Sequence, residues 1–262
     1  MSRFCSLCSS SRGNSLYIGG GDEGILIDAG IGFRAINSAL ASQGLSTSSL
    51  RGVLITHEHS DHIKGLPSLL RNLNLPVYAS AGTLEYLCMH GYIPPGSTLV
   101  EFGCKQAIGG GEVTSFSISH DAADPVGFRF SLPDGRTASI ATDLGAVTEQ
   151  VRAAITGSDL VVLESNYDPG MLDFSSYPYH LKRRIKSSLG HLSNEECAKE
   201  LTRLALSGTT RMILAHLSEQ NNLPALAYQS ATQALGAASL KENLDYIIKI
   251  APPKSPMGVI AF

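Results

Sequence analysis

No stretch of this chain is apolar for long enough to cross a bilayer, and Met1-Ser2-Arg3-Phe4-Cys5-Ser6 holds no signal-peptide core. A cytoplasmic setting without membrane contact is therefore expected. Basic excess is missing too. A net charge of −3 and a pI near 6.2 exclude a protein that coats nucleic acid through bulk electrostatics. Any nucleic-acid contact must come from a local patch. Cys5-Ser6-Leu7-Cys8 lacks the second pair that a zinc knuckle needs, and it falls in a first-strand candidate. The five cysteines (5, 8, 88, 104 and 197) are an odd number, and reduced thiols are expected. No low-complexity linker or long charge run divides the chain, so residues 1–262 read as one domain. At 43% hydrophobic and 16% charged residues it has the composition of an ordinary globular protein.

Short apolar runs alternate with helical stretches, which predicts an α/β fold. Gly19-Gly20-Gly21 separates Leu16-Tyr17-Ile18 from Ile25-Leu26-Ile27 and predicts a hairpin. Gly109-Gly110-Gly111 precedes a strand candidate over 113–119, and Pro133-Asp134-Gly135 marks a turn between 127–132 and 137–141. The apolar runs end in a regular way. Asp28, His57, His120, Asp143, Glu164 and His216 each stand at or just beyond such an end. Strand ends are where a rigid sheet fixes short loops, so six ligand-type side chains there predict a site.

The densest chemistry is His57-Glu58-His59-Ser60-Asp61-His62, directly after Val53-Leu54-Ile55. With 8 His and 11 Asp in 262 residues, H-x-H-x-D-H should arise by chance on the order of a few times in ten thousand such chains. His57 and His59 can chelate one ion while Asp61 and His62 turn to a second. Imidazole and carboxylate donors suit zinc or a similar divalent ion, manganese and iron included. Ser193-Asn194-Glu195-Glu196 predicts a capping box, with Ser193 capping and Glu196 reaching back. Cys197, Leu201, Leu204 and Ala205 form the apolar stripe of that helix. His191 then sits at a helix N-terminus, which favours anions, phosphate included.

Lys182, Arg183, Arg184 and Lys186 form the dense basic cluster, with Leu181, Ile185 and Leu189 expected to face inward. Two meanings stay open for it: a solvated face, or a hold on a phosphodiester backbone. No aromatics interleave the run, so single-strand base stacking is not expected from it. Glu164 either orients a histidine or is an ordinary strand-end charge.

H-x-H-x-D-H, preceded by Asp28-Ala29-Gly30 and followed by His120, Thr142-Asp143 and Ala215-His216-Leu217-Ser218, resembles the metallo-β-lactamase superfamily. The resemblance is closer to a bacterial branch of small hydrolases typified by YycJ, also called WalJ. It is carried by Ser9 to Ser15, by Leu163-Glu164-Ser165-Asn166, by Gly190 to Asn194 and by Leu214 to Asn222. That branch usually has a histidine after Ser-Asn, where this chain has Tyr167.

The resemblance implies a four-layer αβ/βα sandwich with two metal ions at one edge. His57, His59 and His120 would hold one ion, and Asp61, His62 and His216 the other. Asp143 would bridge them, and Asp28 would orient a ligand histidine. Such a pair makes hydroxide available near neutral pH. Gly190-His191-Leu192-Ser193 looks like the stretch of the superfamily's tRNA 3′-processing hydrolases whose histidine contacts the scissile phosphate and assists the leaving group. The implied activity is phosphodiester hydrolysis, as a 5′-exonuclease on DNA. The alternative is a small-molecule (cyclic nucleotide) phosphodiesterase on the same scaffold. A diiron redox role is not implied, because those relatives carry Glu at the position of His59 and a fused flavin domain. The segment between Asp143 and His216 reads mostly as two helices, too short for the clamp of the large nucleases or the arm that grips tRNA.

Overall fold

Leu160-Val161-Val162-Leu163 is buried residue by residue. In the computed structural model, which describes residues Met1–Phe262, both faces of this strand are covered. Leu160 and Val162 join an apolar layer between two sheets, while Val161 and Leu163 join a layer beneath helices. An unbroken apolar run is what a parallel strand covered on both sides requires.

The first sheet takes β1 (Ser2–Ser10), β2 (Gly13–Gly20), β3 (Glu23–Ile27), β4 (Leu50–Leu54), β5 (Val77–Ala79) and β6 (Leu99–Glu101). Helices α1 (Phe33–Ser42), α2 (Ser60–Ile63), α3 (Leu66–Asn72) and α4 (Ala81–Met89) lie between its strands. The second sheet takes β7 (Lys105–Ile108), β8 (Gly111–Ser117), β9 (Val126–Ser131), β10 (Thr137–Ala141), β11 (Leu160–Glu164), β12 (Arg211–Ala215) and β13 (Ile247–Ile250). Its helices are α5 (Glu149–Ile155), α6 (Pro169–Phe174), α7 (Tyr179–Ile185), α8 (Asn194–Leu206) and α9 (Pro224–Ala237). The last strand, β14 (Ile260–Ala261), returns to pair with β1 and makes the first sheet seven-stranded, like the second.

Both sheets follow one plan. The order β14-β1-β2-β3 is antiparallel and β3-β4-β5-β6 parallel; likewise β7-β8-β9-β10 is antiparallel and β10-β11-β12-β13 parallel. Asp28 and Asp143 follow the equivalent strands β3 and β10. Apolar side chains from both sheets fill the middle layer. The outer face of the first sheet packs on α1, α3 and α4, and that of the second on α5, α8 and α9. The result is the expected four-layer αβ/βα sandwich.

The predicted hairpin is β2–β3, with Ile18 opposite Ile25. The turn at Pro133-Asp134-Gly135 joins β9 to β10, with Gly135 in the left-handed region at φ 82°. Three local expectations need correction. Between Asp143 and His216 lie α5, α6, α7 and α8 with β11 and β12, not mostly two helices. Of these, α6 begins at Asp168-Pro169 and is too brief to show a periodic stripe. Only half of the capping box forms. Ser193 Oγ accepts from the Glu196 N–H at 3.2 Å, while the Glu196 carboxylate pairs with Lys199. Leu189 lies beyond the end of α7 and is exposed, so only Leu181 and Ile185 turn inward. Cys5 and Cys8 lie on β1 as free thiols donating to the carbonyls of Met257 and Pro253, at 2.9 Å each. Burial pushes the Cys5 thiol up to about 12, which makes it a packing group and not a nucleophile.

Candidate metal centre

Three of the strand-end residues have left-handed backbone: Asp28 at φ 59°, Asp143 at φ 58° and His216 at φ 54°. Asp and His tolerate that region better than bulkier residues, and a single such residue turns the chain sharply. Here each turn brings its side chain back over the sheet edge. The loop after β4, next to β3 in the same sheet, carries His57 and His59 and leads into α2, which carries Asp61 and His62. Gly30 makes the approach possible, because a Cβ there would lie 1.7 Å from the Asp61 carbonyl oxygen.

The expected ligands meet. Donor atoms of His57, His59 and His120 lie within 4.8 Å of one another, as do those of Asp61, His62 and His216. Asp143 stands between the groups: its Oδ2 is 3.3 Å from His62 Nε2 and its Oδ1 is 4.0 Å from His120 Nε2. Glu58 shares the loop but turns away, accepting from the Ala123 N–H at 2.7 Å.

Four of the histidines turn Nδ1 to a partner outside the expected ligand set. His57 Nδ1 donates to Thr56 Oγ1 at 3.0 Å, His62 Nδ1 to Asp28 Oδ2 at 2.8 Å and His120 Nδ1 to the Gly190 carbonyl at 3.0 Å. His216 Nδ1 donates to Glu164 Oε1 at 2.8 Å. Those bonds commit four protons to groups outside the ligand set and turn four Nε2 atoms inward. His57 Nε2, His216 Nε2 and Asp143 Oδ2 are buried with no hydrogen-bond partner. Buried polar atoms without partners are costly, and a pair of divalent cations, one beside His57 and one beside His216, would satisfy all three.

The electrostatics agree. Burial, reinforced by His62, holds His57 well below its ordinary pKa and keeps it in the neutral form that binds metal. Burial opposes charge on His216, but Asp143, Asp61 and Glu164 outweigh it and carry that group up to about 10. Burial likewise opposes ionisation of Asp143, yet His216 and His62 hold it well below the usual carboxylate range. The cluster therefore calls for positive charge at its middle, supplied by protons or by metal ions in their place. The donor set fits the metals expected of it.

Glu164 does more than mark a strand end. Its Oε1 accepts from both His216 and His191, each at 2.8 Å, and its Oε2 from the N–H groups of Leu144 and Leu192, each at 3.0 Å. Burial lowers the His191 pKa, but Glu164 outweighs it and leaves the imidazole above its ordinary value. His191 is not among the seven donors the resemblance implies, although its donor atom lies within 4.8 Å of those of Asp143, Glu164 and His216; it lines a pocket of about 180 Å³ with Ser11, Tyr177, Arg184, His216 and Asn221.

The basic cluster divides. Arg184 reaches that pocket and pairs with Asp121 at 2.6 Å. Lys186 pairs with Asp173, and Lys182 donates to the carbonyls of Asp173 and Ser175. Arg183 has no carboxylate partner and lies 5.9 Å from the centre of the Tyr179 ring. Tyr167 is buried against Leu172 and Ile185, which makes it a prop for α6 and α7.

Several contributors escaped the sequence reading. Thr56 donates its N–H to Asp28 Oδ1 at 2.8 Å and so ties Asp28 to the metal loop. Asn14 Nδ2 lies 3.1 Å from both Asp61 Oδ2 and His62 Nε2. Asn166 Nδ2 donates to the His216 carbonyl at 2.8 Å. Asn14 and Asn166 stand in stretches that carried the resemblance, which was their only signal; Thr56 had merely its place beside His57.

The description "Beta-lactamase superfamily domain" matches residues 24–217. Exodeoxyribonuclease YycJ of Bacillus anthracis is 38% identical over 260 residues, covering 98% of this chain and 97% of that protein. Exodeoxyribonuclease WalJ of Streptococcus pneumoniae serotype 2 (strain D39 / NCTC 7466) is 33% identical over 255 residues, covering 96% and 94%. Among solved structures, the metallo-β-lactamase fold protein YhfI from Bacillus subtilis superposes with a TM-score of 0.73 at 15% identity, covering 98% and 99% of the two chains. The chain belongs to the metallo-β-lactamase superfamily, in the branch of YycJ and WalJ.

Proposed function

We propose that this protein is a metal-dependent phosphodiesterase that digests DNA from 5′ ends, using two divalent ions, zinc or manganese, with iron also suited to the donors. His57, His59 and His120 hold one ion; Asp61, His62 and His216 hold the other; Asp143 serves both. The printed activity of the relatives at 38% and 33% identity supports a nuclease. The observation that carries the reading is His191, braced on Glu164 at 2.8 Å beside the donor cluster and open to the pocket. The resident ions supply Lewis acidity and a nucleophile near neutral pH.

The chain's own groups do the rest. Asp61 and His191 keep 19% and 15% of their side chains exposed, so both face an incoming substrate. Asp61, held by Asn14, accepts a hydrogen bond from the attacking water. His191, with Nδ1 on Glu164, presents Nε2 to the leaving oxygen and donates a proton there. Arg184 stands in the same pocket as a hold on the phosphodiester, with Lys182 and Arg183 before it on α7 and Lys186 at that helix's end. The shared middle core layer supports residues 1–262 as one domain. Five free cysteines support a reducing, cytoplasmic setting, and no helix is long and apolar enough to cross a membrane.

The test is a time course on linear duplex DNA labelled at the 5′ or the 3′ end, with Mn²⁺ or Zn²⁺, a chelated control and an Asp61→Ala protein. Metal-dependent release of nucleotides from 5′ ends, lost in the variant, is expected. Intact DNA with turnover of a cyclic nucleotide would instead make the protein a small-molecule phosphodiesterase. His191→Ala should keep its metal and lose turnover; loss of metal would make His191 a ligand.

A further inference from the structure

Phe174 ends α6 with 94% of its surface exposed, and Tyr179 opens α7 with 76% exposed. An exposed Leu is ordinary, but two aromatic rings this bare, five residues apart, call for a partner. Between them Tyr177 lines the pocket that holds His191 and His216. Phe174 is three residues from Tyr177 and Tyr179 two, so fully extended backbone puts them at most about 10 Å and 7 Å away along the chain. Both residues therefore lie near the pocket of the candidate active site.

Their surroundings are cationic. Residues 169–186 contain four Lys or Arg and one carboxylate, Asp173, in a chain whose net charge is −3. Arg183, which makes no ion pair, lies against the Tyr179 ring. Lys182 ties α7 to the C-terminal end of α6 through the carbonyls of Asp173 and Ser175, at 2.8 and 2.7 Å, so the two rings share one braced arm.

We propose that the α6–α7 arm is a platform for the single-stranded end of the nucleic-acid substrate, with Phe174 and Tyr179 stacking on successive bases and Arg183 holding the phosphate between them. The inference rests on the nuclease reading and deepens it. Bare aromatic faces beside cations are the chemistry of sequence-tolerant single-strand binding, because every base offers a π-face. A second copy of this chain is the rival occupant, but nothing in the arm opposes its cations with acidic groups other than Asp173, already paired with Lys186.

The experiment measures binding of fluorescein-labelled dT12 and of a blunt duplex of the same length to the full chain in EDTA, so that cleavage plays no part. Phe174→Leu and Tyr179→Leu keep apolar surface and remove the π-face. Each should weaken dT12 binding at least about five-fold, with a smaller effect on the blunt duplex. Tyr179→Phe should bind like the wild type. Arg183→Gln should lower the slope of log affinity against log salt by about 0.7 for the single strand. Turnover of bis(4-nitrophenyl) phosphate by the metal-loaded Phe174→Leu and Tyr179→Leu proteins should match the wild type. Unchanged dT12 affinity in both leucine variants, or equal losses on strand and duplex, would overturn the platform. So would a wild-type dimer that both variants dissolve in sedimentation. Wild-type protein that binds dT12 through these rings yet cleaves no DNA would sink the nuclease reading and leave the platform standing.

Discussion

Asp28→Asn tests the centre at the point where orientation, not donation, is at stake. Asp28 is buried, and its carboxylate meets only donors: the Thr56 N–H at 2.8 Å, Thr56 Oγ1 at 2.9 Å and His62 Nδ1 at 2.8 Å. Asparagine tolerates the left-handed backbone at φ 59° as aspartate does, so the turn survives. The amide keeps one oxygen for the Thr56 N–H and places an NH₂ against His62. Two donors then face each other, and His62 escapes by moving its proton to Nε2. That nitrogen is the one 3.3 Å from Asp143 and 3.5 Å from Asp61, and a proton there closes it to a metal. Loss of an orienting partner costs about 10–100-fold in metal affinity, or about 1.4–2.7 kcal/mol. A titration of Zn²⁺ into the apo protein against a chromophoric chelator reads this directly, with circular dichroism to verify the fold. Zinc affinity in Asp28→Asn within two-fold of the wild type would refute the claim that Asp28 sets the His62 tautomer.

Other perturbations probe different layers. Glu164→Gln puts an NH₂ against the Nδ1–H groups of both His191 and His216 and should lower turnover by about 100-fold, more than it weakens metal binding, as steady-state kinetics beside metal analysis would show. Gly30→Ala forces a Cβ to within 1.7 Å of the Asp61 carbonyl and should destabilise the fold by about 2–4 kcal/mol in urea unfolding. Stripping the metal should lower Tm by about 8–16 °C at a free-ion level about 1,000 times Kd, since binding then contributes about 4 kcal/mol and a chain of this size shifts about 2–4 °C per kcal/mol. Of the five thiols, the exposed Cys88 and Cys104 should react at once with a disulfide reagent in native protein, and Cys5, Cys8 and Cys197 only on unfolding.

Strand-end positions were legible because the signal is local: an apolar run stops and a ligand-type residue follows. His57 to His62 needed no tertiary information at all. The seats of Thr56, Asn14 and the Gly190 carbonyl were not legible, because their roles come from residues far along the chain, such as Gly190 beneath His120. Helix α6 escaped because six residues do not establish a period, while α7, read from Leu181 and Ile185, ends before Leu189. Glu196 was read as reaching back to its cap, but Lys199, one helical turn on, offers it a charge. The basic run was read without its neighbours, and the rings that change its meaning lie just upstream at Phe174 and Tyr179.

The donors come from both sheets: His57, His59, Asp61 and His62 from the first, His120, Asp143 and His216 from the second. A ribosome delivers the first four long before the last. Until β12 has emerged and docked, the growing chain holds at most part of a chelate, with His62 lacking the neighbours that complete its ion. A nascent or truncated product ending before residue 216 therefore cannot assemble the full donor cluster, which is withheld until both halves of the sandwich have closed.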